Sequence, residues 1–303
     1  MDKLKNISAK ITGIEYKPFL CRNLEIFDIK ELERVLSRKA TFILKIDKEN
    51  QFALSWWVSA KRTRSYPYAR VYDSLNFSGK KVTIIPIFKD EGIKGDRDFL
   101  QWDTISLMSL LGVYVIIAHY VKAEVNENYE NKITFQRYDT DYIYGELMKI
   151  VSYQSDALHW NLKQIDKVGE IGQNAVNSYE QISKDLKVEM HSIKLARKRI
   201  EKLIEGKDVF MNMSREFAEK AQHRESMTDQ PKESLDGTKG IVTIKNYLGG
   251  YYYFTADEVR IDGNDIYLVE GKHSSGENLP SEDDIKDGLV KMILFANLVN
   301  VIS

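Results

Sequence analysis

Between Pro86 and Pro231 the chain has no proline, and from Leu158 onward apolar residues return at helical spacing. They are Leu162, Ile165, Val168, Val176, Tyr179, Ile182, Leu186, Met190, Ile193, Ile200 and Leu203. Proline breaks a helix interior, so its absence removes the commonest stop signal. A repeat of roughly three and a half residues then predicts long helices packed on one another. Gly169 and Gly172 are expected to mark a kink or a turn between helices. A helical bundle or connecting arm accounts for the stretch, and a dimerisation arm is the sharper alternative.

The residues before it read as mixed α/β. The run "DIKELERVLSR" places Ile29, Leu32 and Val35/Leu36 on one helical face. "ATFILKI" and "FALSWWVS" are rich in strand formers and joined by the polar "DKEN", which predicts a hairpin. "KVTIIPIF" reads as a buried strand, "DFLQWDTISLMSLLG" as a helix ending at Gly112, and "VYVIIAHYV" as another strand. Strand, helix, strand in that order predicts a βαβ-like unit and a partly parallel sheet.

Composition sets outer limits. With 43% hydrophobic and 29% charged residues among 303, the chain is expected to be an ordinary globular protein with room for two compact units. No apolar run approaches the roughly 20 residues that cross a bilayer, and "MDKLKNISAK" lacks the apolar core of a signal peptide. Cys21 is the only cysteine, which excludes an intramolecular disulfide and a cysteine-rich zinc site. An intracellular, cytoplasmic protein with no membrane partner is the expectation. The net charge of −1 does not mark a nucleic-acid binder, although a metal-dependent nuclease can offset a basic cleft with acids elsewhere. There is no Gly-rich phosphate loop, zinc-ligand set or nucleophile elbow, so no nucleotide cofactor is expected.

The stretch from Thr255 to Ser274, "TADEVRIDGNDIYLVEGKHS", carries the chemistry. "DEVRIDG" and "DIYLVEGK" alternate as paired strands with "DGND" as the turn. Glu270 and Lys272, two apart on one strand, share a face. Pairing around Gly263–Asn264 sets Asp257 opposite the region of Glu270 to Lys272, and Gly271 leaves the backbone open to close approach. Two carboxylates and a backbone carbonyl suit a hard divalent ion such as Mg2+. Such an ion stabilises charge on a phosphate and lowers the pKa of a bound water, which a lysine can orient or deprotonate. Ser281 is expected to cap the following helix, with Asp284 at capping-box distance.

Ala256-Asp257, a β-turn-β spacer and then Glu270-Gly271-Lys272 resemble the motif of the PD-(D/E)xK nuclease superfamily, which includes most type II restriction endonucleases. The resemblance covers roughly the last 60 residues. It implies Asp257 and Glu270 as metal ligands, Lys272 as the catalytic lysine and Mg2+ as cofactor. Ala256 stands at the motif's proline position. Glu258 follows Asp257 directly, and strand alternation lets only one of the two face the ion. The sequence stops at Ser303, just after a helix where the family fold adds another strand; that strand comes either from elsewhere in the chain or lies beyond this sequence. Glu216, Glu219 or Glu225 could add a carboxylate from the upstream helix, each being otherwise a surface residue. His273 and Ser274 read as structural or phosphate-contacting neighbours.

For holding DNA, the sequence offers "SWWVSAKRTRSYPYARVY", Ser55 to Tyr72, in which Lys61, Arg62, Arg64 and Arg70 are interleaved with aromatics including Tyr66 and Tyr68. Arginine reads guanine or clamps phosphate, and aromatics pack on sugars and bases. Lys61 to Tyr68 is expected to be a loop; the plainer alternative keeps the tryptophans in the core. "KLARKRIEK", Lys194 to Lys202, is a second basic cluster, as readily a solvated helical face. Asp90, Glu91, Asp96, Asp98 and Asp103 form a rival acidic group read as structural, with Asp98 as a helix N-cap.

The expected fold class is therefore α/β (α+β): a mixed-sheet α/β domain over 1–150 for DNA recognition, a helical connecting or dimerisation region over 151–230, and a nuclease-like core over 231–303 to which helices of 208–230 could belong. The expected function is that of a sequence-specific, Mg2+-dependent endonuclease on double-stranded DNA, acting as a homodimer. The alternatives are a same-core nuclease of DNA repair or mobile-element processing, and a non-catalytic DNA-binding or assembly protein.

Overall fold

The computed structural model describes residues 4–60, 67–226, 238–272 and 279–303. It divides into two compact units, one formed by 21–210 and the other by 1–20 together with 211–303. The architecture is mixed α/β, as the order of elements predicts. The unit boundaries fall at 20/21 and 210/211: β1 (Lys5–Ile11) pairs with strands from the other end of the chain, and the helix from Met211 on belongs with those strands, the option that the sequence left open for 208–230.

Unit 21–210 opens with β2 (Ile26–Asp28), a 3-10 turn whose cap Asp28 forms a capping box with Glu31, and α1 (Leu32–Leu36). The hairpin β3 (Thr41–Lys45) and β4 (Gln51–Trp56) forms as predicted, and its "DKEN" turn is held by Asp47 accepting from the Glu49 and Asn50 amides. Then come α2 (Pro67–Ser74), β5 (Lys80–Pro86), the small pair β6 (Phe88–Asp90) and β7 (Arg97–Phe99), α3 (Trp102–Leu110) and β8 (Val113–Ala118). The main sheet runs β2-β3-β4-β5-β8, with β4, β5 and β8 parallel. The βαβ unit is β5, α3, β8, and Gly112 at φ +69° turns the chain out of α3. Every residue of β8 is buried, the pattern of a strand covered on both faces. The predicted helix begins four residues late, at Trp102 and not at Asp98, because Arg97–Phe99 is a strand.

After the hairpin β9 (Tyr120–Val125) and β10 (Ile133–Tyr138), four helices complete this unit and lead out of it. They are α4 (Thr140–Ser152), α5 (Ala157–Asp166), α6 (Val168–Leu186) and α7 (Ile193–Ile204). An edge strand such as β8 exposes unpaired backbone groups, and α5 covers them with side chains. Asn161 accepts from the Val115 amide (2.7 Å) and donates to the Val113 carbonyl (3.0 Å). The Trp160 indole donates to the Val115 carbonyl (2.7 Å), and Gln164 accepts from the Ile117 amide (3.2 Å). Gly169 and Gly172 do not form the turn; the break lies at Lys167, and both glycines sit inside α6. A Cβ on Gly172 would stand 2.6 Å from Ile200 Cγ2, so the glycines let α7 approach α6 closely.

In the other unit, α8 (Lys207–Ser226) runs in from Met211 and is followed by β11 (Thr238–Asn246), β12 (Tyr251–Asp262), β13 (Asp265–Val269), α9 (Glu282–Ala296) and β14 (Val299–Ile302). The sheet order is β13-β12-β11-β1-β14. β1 lies parallel to β11, with Ile7, Ala9 and Ile11 buried, and β14 lies antiparallel to β1. A further strand, β14, thus follows the last helix, and β1 joins the same sheet from the start of the chain. Buried Gln222 of α8 donates to the Val242 and Phe254 carbonyls, tying the helix to β11 and β12. Val290 and Leu294 of α9 are fully buried, and Phe295 meets Phe254 edge to face.

The α5 cover of β8 makes a direct prediction. Asn161→Ala strands a buried amide and a buried carbonyl, each costing about 1–3 kcal/mol when unpaired. Chemical denaturation of the variant should show a loss of that order; a loss below about 0.5 kcal/mol would mean that the edge is satisfied otherwise.

Candidate active site

β12 and β13 pair with Glu258 opposite Val269 and Asp262 opposite Asp265, closing the turn at Gly263, whose φ is +59°. The same register puts Asp257 opposite Glu270. Where the ladder ends, Asp257 Oδ2 accepts a hydrogen bond from the Gly271 amide at 2.6 Å. That bond holds the strand end beside the carboxylate and carries Lys272 past it on the Glu270 side.

Glu270 is the centre of the cluster. Its side chain is 8% exposed, and Oε1 meets two ammonium groups, Lys291 Nζ at 2.7 Å and Lys272 Nζ at 3.2 Å. Oε2 is buried with no hydrogen-bond partner. Lys272 Nζ also lies 3.7 Å from Asp287 Oδ2. The stem of Lys272 crosses α9 at Gly288, where a Cβ would come within 3.1 Å of Lys272 Cε. α9 itself is fixed by its cap: Ser281 accepts from the Asp284 amide and donates to the Asp284 carboxylate, as its sequence predicts.

Burial works against the charge on Lys272, yet Glu270, Asp287 and Asp257 outweigh it and hold the ammonium above its ordinary value. Asp287 moves up as well: burial raises it, and Lys272 and Lys291 only partly offset this. At neutral pH Lys272 is therefore a hydrogen-bond donor and positive charge, not a proton acceptor.

Alternation of β12 separates the two adjacent acids. Glu258 is buried on the other face from Asp257, where the Arg260 guanidinium donates to both its oxygens and holds it below the usual carboxylate range. Asp257, Glu270 and Lys272 come together, and Glu258 does not join them. Of the upstream acids, Glu216 and Glu219 are exposed on α8, and the Glu225 side chain lies outside the described residues, as do His273 and Ser274. Asp287 and Lys291 are the members that the sequence did not reveal. Their only signal was a spacing of four on the helix after the motif, which sets both on one face.

In the basic run, Lys61, Arg62, Arg64 and Tyr66 lie outside the described residues. The expected loop ends sooner than Tyr68, because Pro67 opens α2, where its missing amide costs nothing. Tyr68 is 3% exposed with its ring against Trp57, so it has no face for a base or sugar. Arg70 sits 4.4 Å over the Trp56 ring and donates to the Trp56 carbonyl. Both side chains serve packing within their unit. On α7, Arg197 pairs with Glu180 and Arg199 stacks 3.9 Å over Phe99, burial lowering it to about 10, whereas Lys194, Lys198 and Lys202 are exposed. In the acidic group, Asp90 meets His191 Nδ1 at 2.8 Å, Glu91 pairs with Lys89 and Lys132, and Asp98 accepts from Ser59. Asp98 is in β7 and is not an N-cap; that place belongs to Gln101.

Among the described residues no three His, Cys, Asp or Glu side chains are grouped to hold a metal, and no helix is long and apolar enough to cross a membrane. No family model, curated protein or solved structure matches the chain.

The raised Asp287 carboxyl has a measurable consequence. The folded state holds this proton more tightly than the unfolded chain, so the stability linked to it is full below the ordinary value of 3.8 and falls as pH rises through the raised folded value. Asp287→Asn keeps the group neutral and should flatten that part of the pH–stability curve and raise the melting temperature at pH 7. A lower melting temperature would show instead that the Lys272 pair outweighs the burial cost.

Proposed function

We propose that the chain is a Mg2+-dependent endodeoxyribonuclease of the PD-(D/E)xK kind, cutting double-stranded DNA as type II restriction enzymes do. The observation that carries this reading is the Glu270 carboxylate, buried, facing Asp257 across the hairpin end, and left with one oxygen unpartnered. A buried carboxylate oxygen without a donor is costly unless something positive is meant to meet it. The donor chemistry suits Mg2+, which commonly takes one or two carboxylates and completes its shell with waters and a substrate phosphate, so a dedicated cage of three acids is not required.

In this reading Asp257 and Glu270 supply the protein's oxygens to the ion. When bound, Mg2+ offsets charge on the scissile phosphate and makes a bound water acidic. Lys272, held as an ammonium, donates to a phosphate oxygen or to the attacking water and fixes its approach to phosphorus. Water adds to phosphorus, one P–O bond breaks, and the departing oxygen takes up a proton. Charge agrees with the assignment: the three carboxylates Asp257, Glu270 and Asp287 exceed the two lysines by one, so a divalent cation and one phosphodiester leave the assembly neutral. Lys61, Arg62, Arg64 and Tyr66 remain the candidates for DNA contact. Two cuts on opposite strands call for two sites, hence a homodimer. A neighbouring gene for a DNA methyltransferase would favour restriction over repair or mobile-element processing.

One observation favours the non-catalytic alternative. Both lysines already lie on Glu270, as in an ion network that only holds β13 to α9. Plasmid DNA incubated with the protein and Mg2+ separates the two readings. Discrete fragments should appear and vanish with EDTA, and Lys272→Ala or Glu270→Gln should slow cutting by roughly a hundredfold or more. Glu258→Gln, on the opposite face, should cut within a few-fold of the parent. Cleavage that survives Lys272→Ala would remove the hairpin from the chemistry, and DNA that is bound but never cut would establish the binder.

A further inference from the structure

The position of Lys291 is not accounted for by the chemistry above. It comes from α9, not from the hairpin, and makes the closest contact to Glu270, 2.7 Å against 3.2 Å for Lys272. Its side chain is 16% exposed, so it is committed to the site and not to solvent. It lies on Oε1 of the carboxylate that a cation would also seek, while Oε2 stays bare. One helical turn back on the same face of α9 stands Asp287, whose carboxylate lies 3.7 Å from Lys272 Nζ. A lysine at this place has two carboxylates within reach of a flexible four-carbon stem.

We infer that Lys291 is a built-in counter-cation for Glu270, holding the carboxylate while no divalent ion is present and swinging to Asp287 when one binds. The inference rests on the metal site proposed above and adds its regulation. Two ammonium groups already lie on Oε1, so a divalent ion would bring a third positive centre to one buried carboxylate, and repulsion would expel the ammonium that is less firmly tied, that of Lys291. Asp287 gives that ammonium somewhere to go, which keeps the displacement from leaving a buried lysine unpaired. Lys291 thereby sets the ion concentration at which the site loads: it protects the carboxylates from mutual repulsion in the ion-free protein and lowers their affinity for the ion. Lys272 is the poorer candidate for this part, because its strand is tied by the Asp257–Gly271 hydrogen bond and its stem is laid over Gly288.

The test is calorimetric titration of the full chain with Mg2+ alone, with melting temperatures measured in its absence and presence. Lys291→Gln removes the competing charge but keeps a polar side chain. It should bind Mg2+ about tenfold more tightly than the parent, melt lower without the ion, and gain more from it. Lys291→Arg restores the charge and should return the affinity to near the parental value. Asp287→Asn removes the second berth and should weaken Mg2+ binding. If Lys291→Gln binds no more tightly than the parent while Glu270→Gln abolishes binding, the counter-cation role is wrong and the metal site stands. If Lys291→Gln gives no cooperative melt, Asp287→Asn decides, and unchanged affinity there overturns the inference. If neither the parent nor any variant binds Mg2+, the inference and the proposed metal site fall together.

Discussion

Everything at the candidate site depends on a strand from the far end of the chain. β11, β12 and β13 are consecutive and would form a meander with one open inner edge. β1 closes that edge through seven parallel register pairs, from Lys5 opposite Gly240 to Ile11 opposite Asn246. Parallel pairing cannot come from a tight turn, and here some 230 residues separate the partners, so the ladder must be stabilised by burial and not by local chain closure. Ile7, Ala9 and Ile11 provide that burial on one side of alternate positions. Gly240 adds a local requirement. A side chain there would run into Val259 of the neighbouring strand, just where the β11–β12 register shifts. The strand that carries Asp257 is therefore positioned by its inner neighbour before the hairpin turn has any say.

Two buried glutamates show what distinguishes a structural carboxylate from the one at the site. Glu146 of α4, 1% exposed, meets Lys149 and Lys167 on one oxygen and Gln164 and Lys167 on the other. Burial would raise it, and these partners win, holding it below the usual range. It is a closed network, in which every lone pair that burial takes from water is returned by a donor. Glu270 has as many lysines and is nearly as buried, yet both lysines crowd one oxygen and the other has none. Fold stability alone would favour the first arrangement everywhere. The second is found at the end of a hairpin, beside Asp257 and against α9.

What could be read from the sequence was set by locality. The β3–β4 hairpin, the β5–α3–β8 unit, the turn at Gly263 and the Ser281 cap depend on residues a few positions apart, and each forms as predicted. Convergence of Asp257, Glu270 and Lys272 follows from strand pairing and period-two alternation alone, and the same alternation sends Glu258 to the other face. What could not be read depends on partners distant in sequence. Gly169 and Gly172 look like turn residues until Ile204 and Ile200 are seen against them. Tyr68 looks like a DNA-facing aromatic until Trp57 covers it. β1 carries alternation but no mark of its partner, so the division of the chain into units was hidden with it. Asp287 and Lys291 had a spacing that placed them together on α9 but nothing to say which strand that face would meet.

The charge arrangement also explains why the site is costly as it stands. Taking a carboxylate out of water is offset only when its oxygens are fully paired, and a cluster with one surplus negative charge and a bare buried oxygen is not in that state. Replacing Glu270, Lys272 and Lys291 with apolar residues of similar size would relieve the cost, as it often does for buried ion networks. The fold instead surrounds the cluster with specific supports: a glycine that makes room for the Lys272 stem, an amide that fixes Asp257, and a capped helix that brings two further charges. Supports of this kind stabilise a geometry more than they stabilise the chain. They hold the carboxylates and lysines in one arrangement before anything binds, which is the preorganisation that the proposed metal site would require.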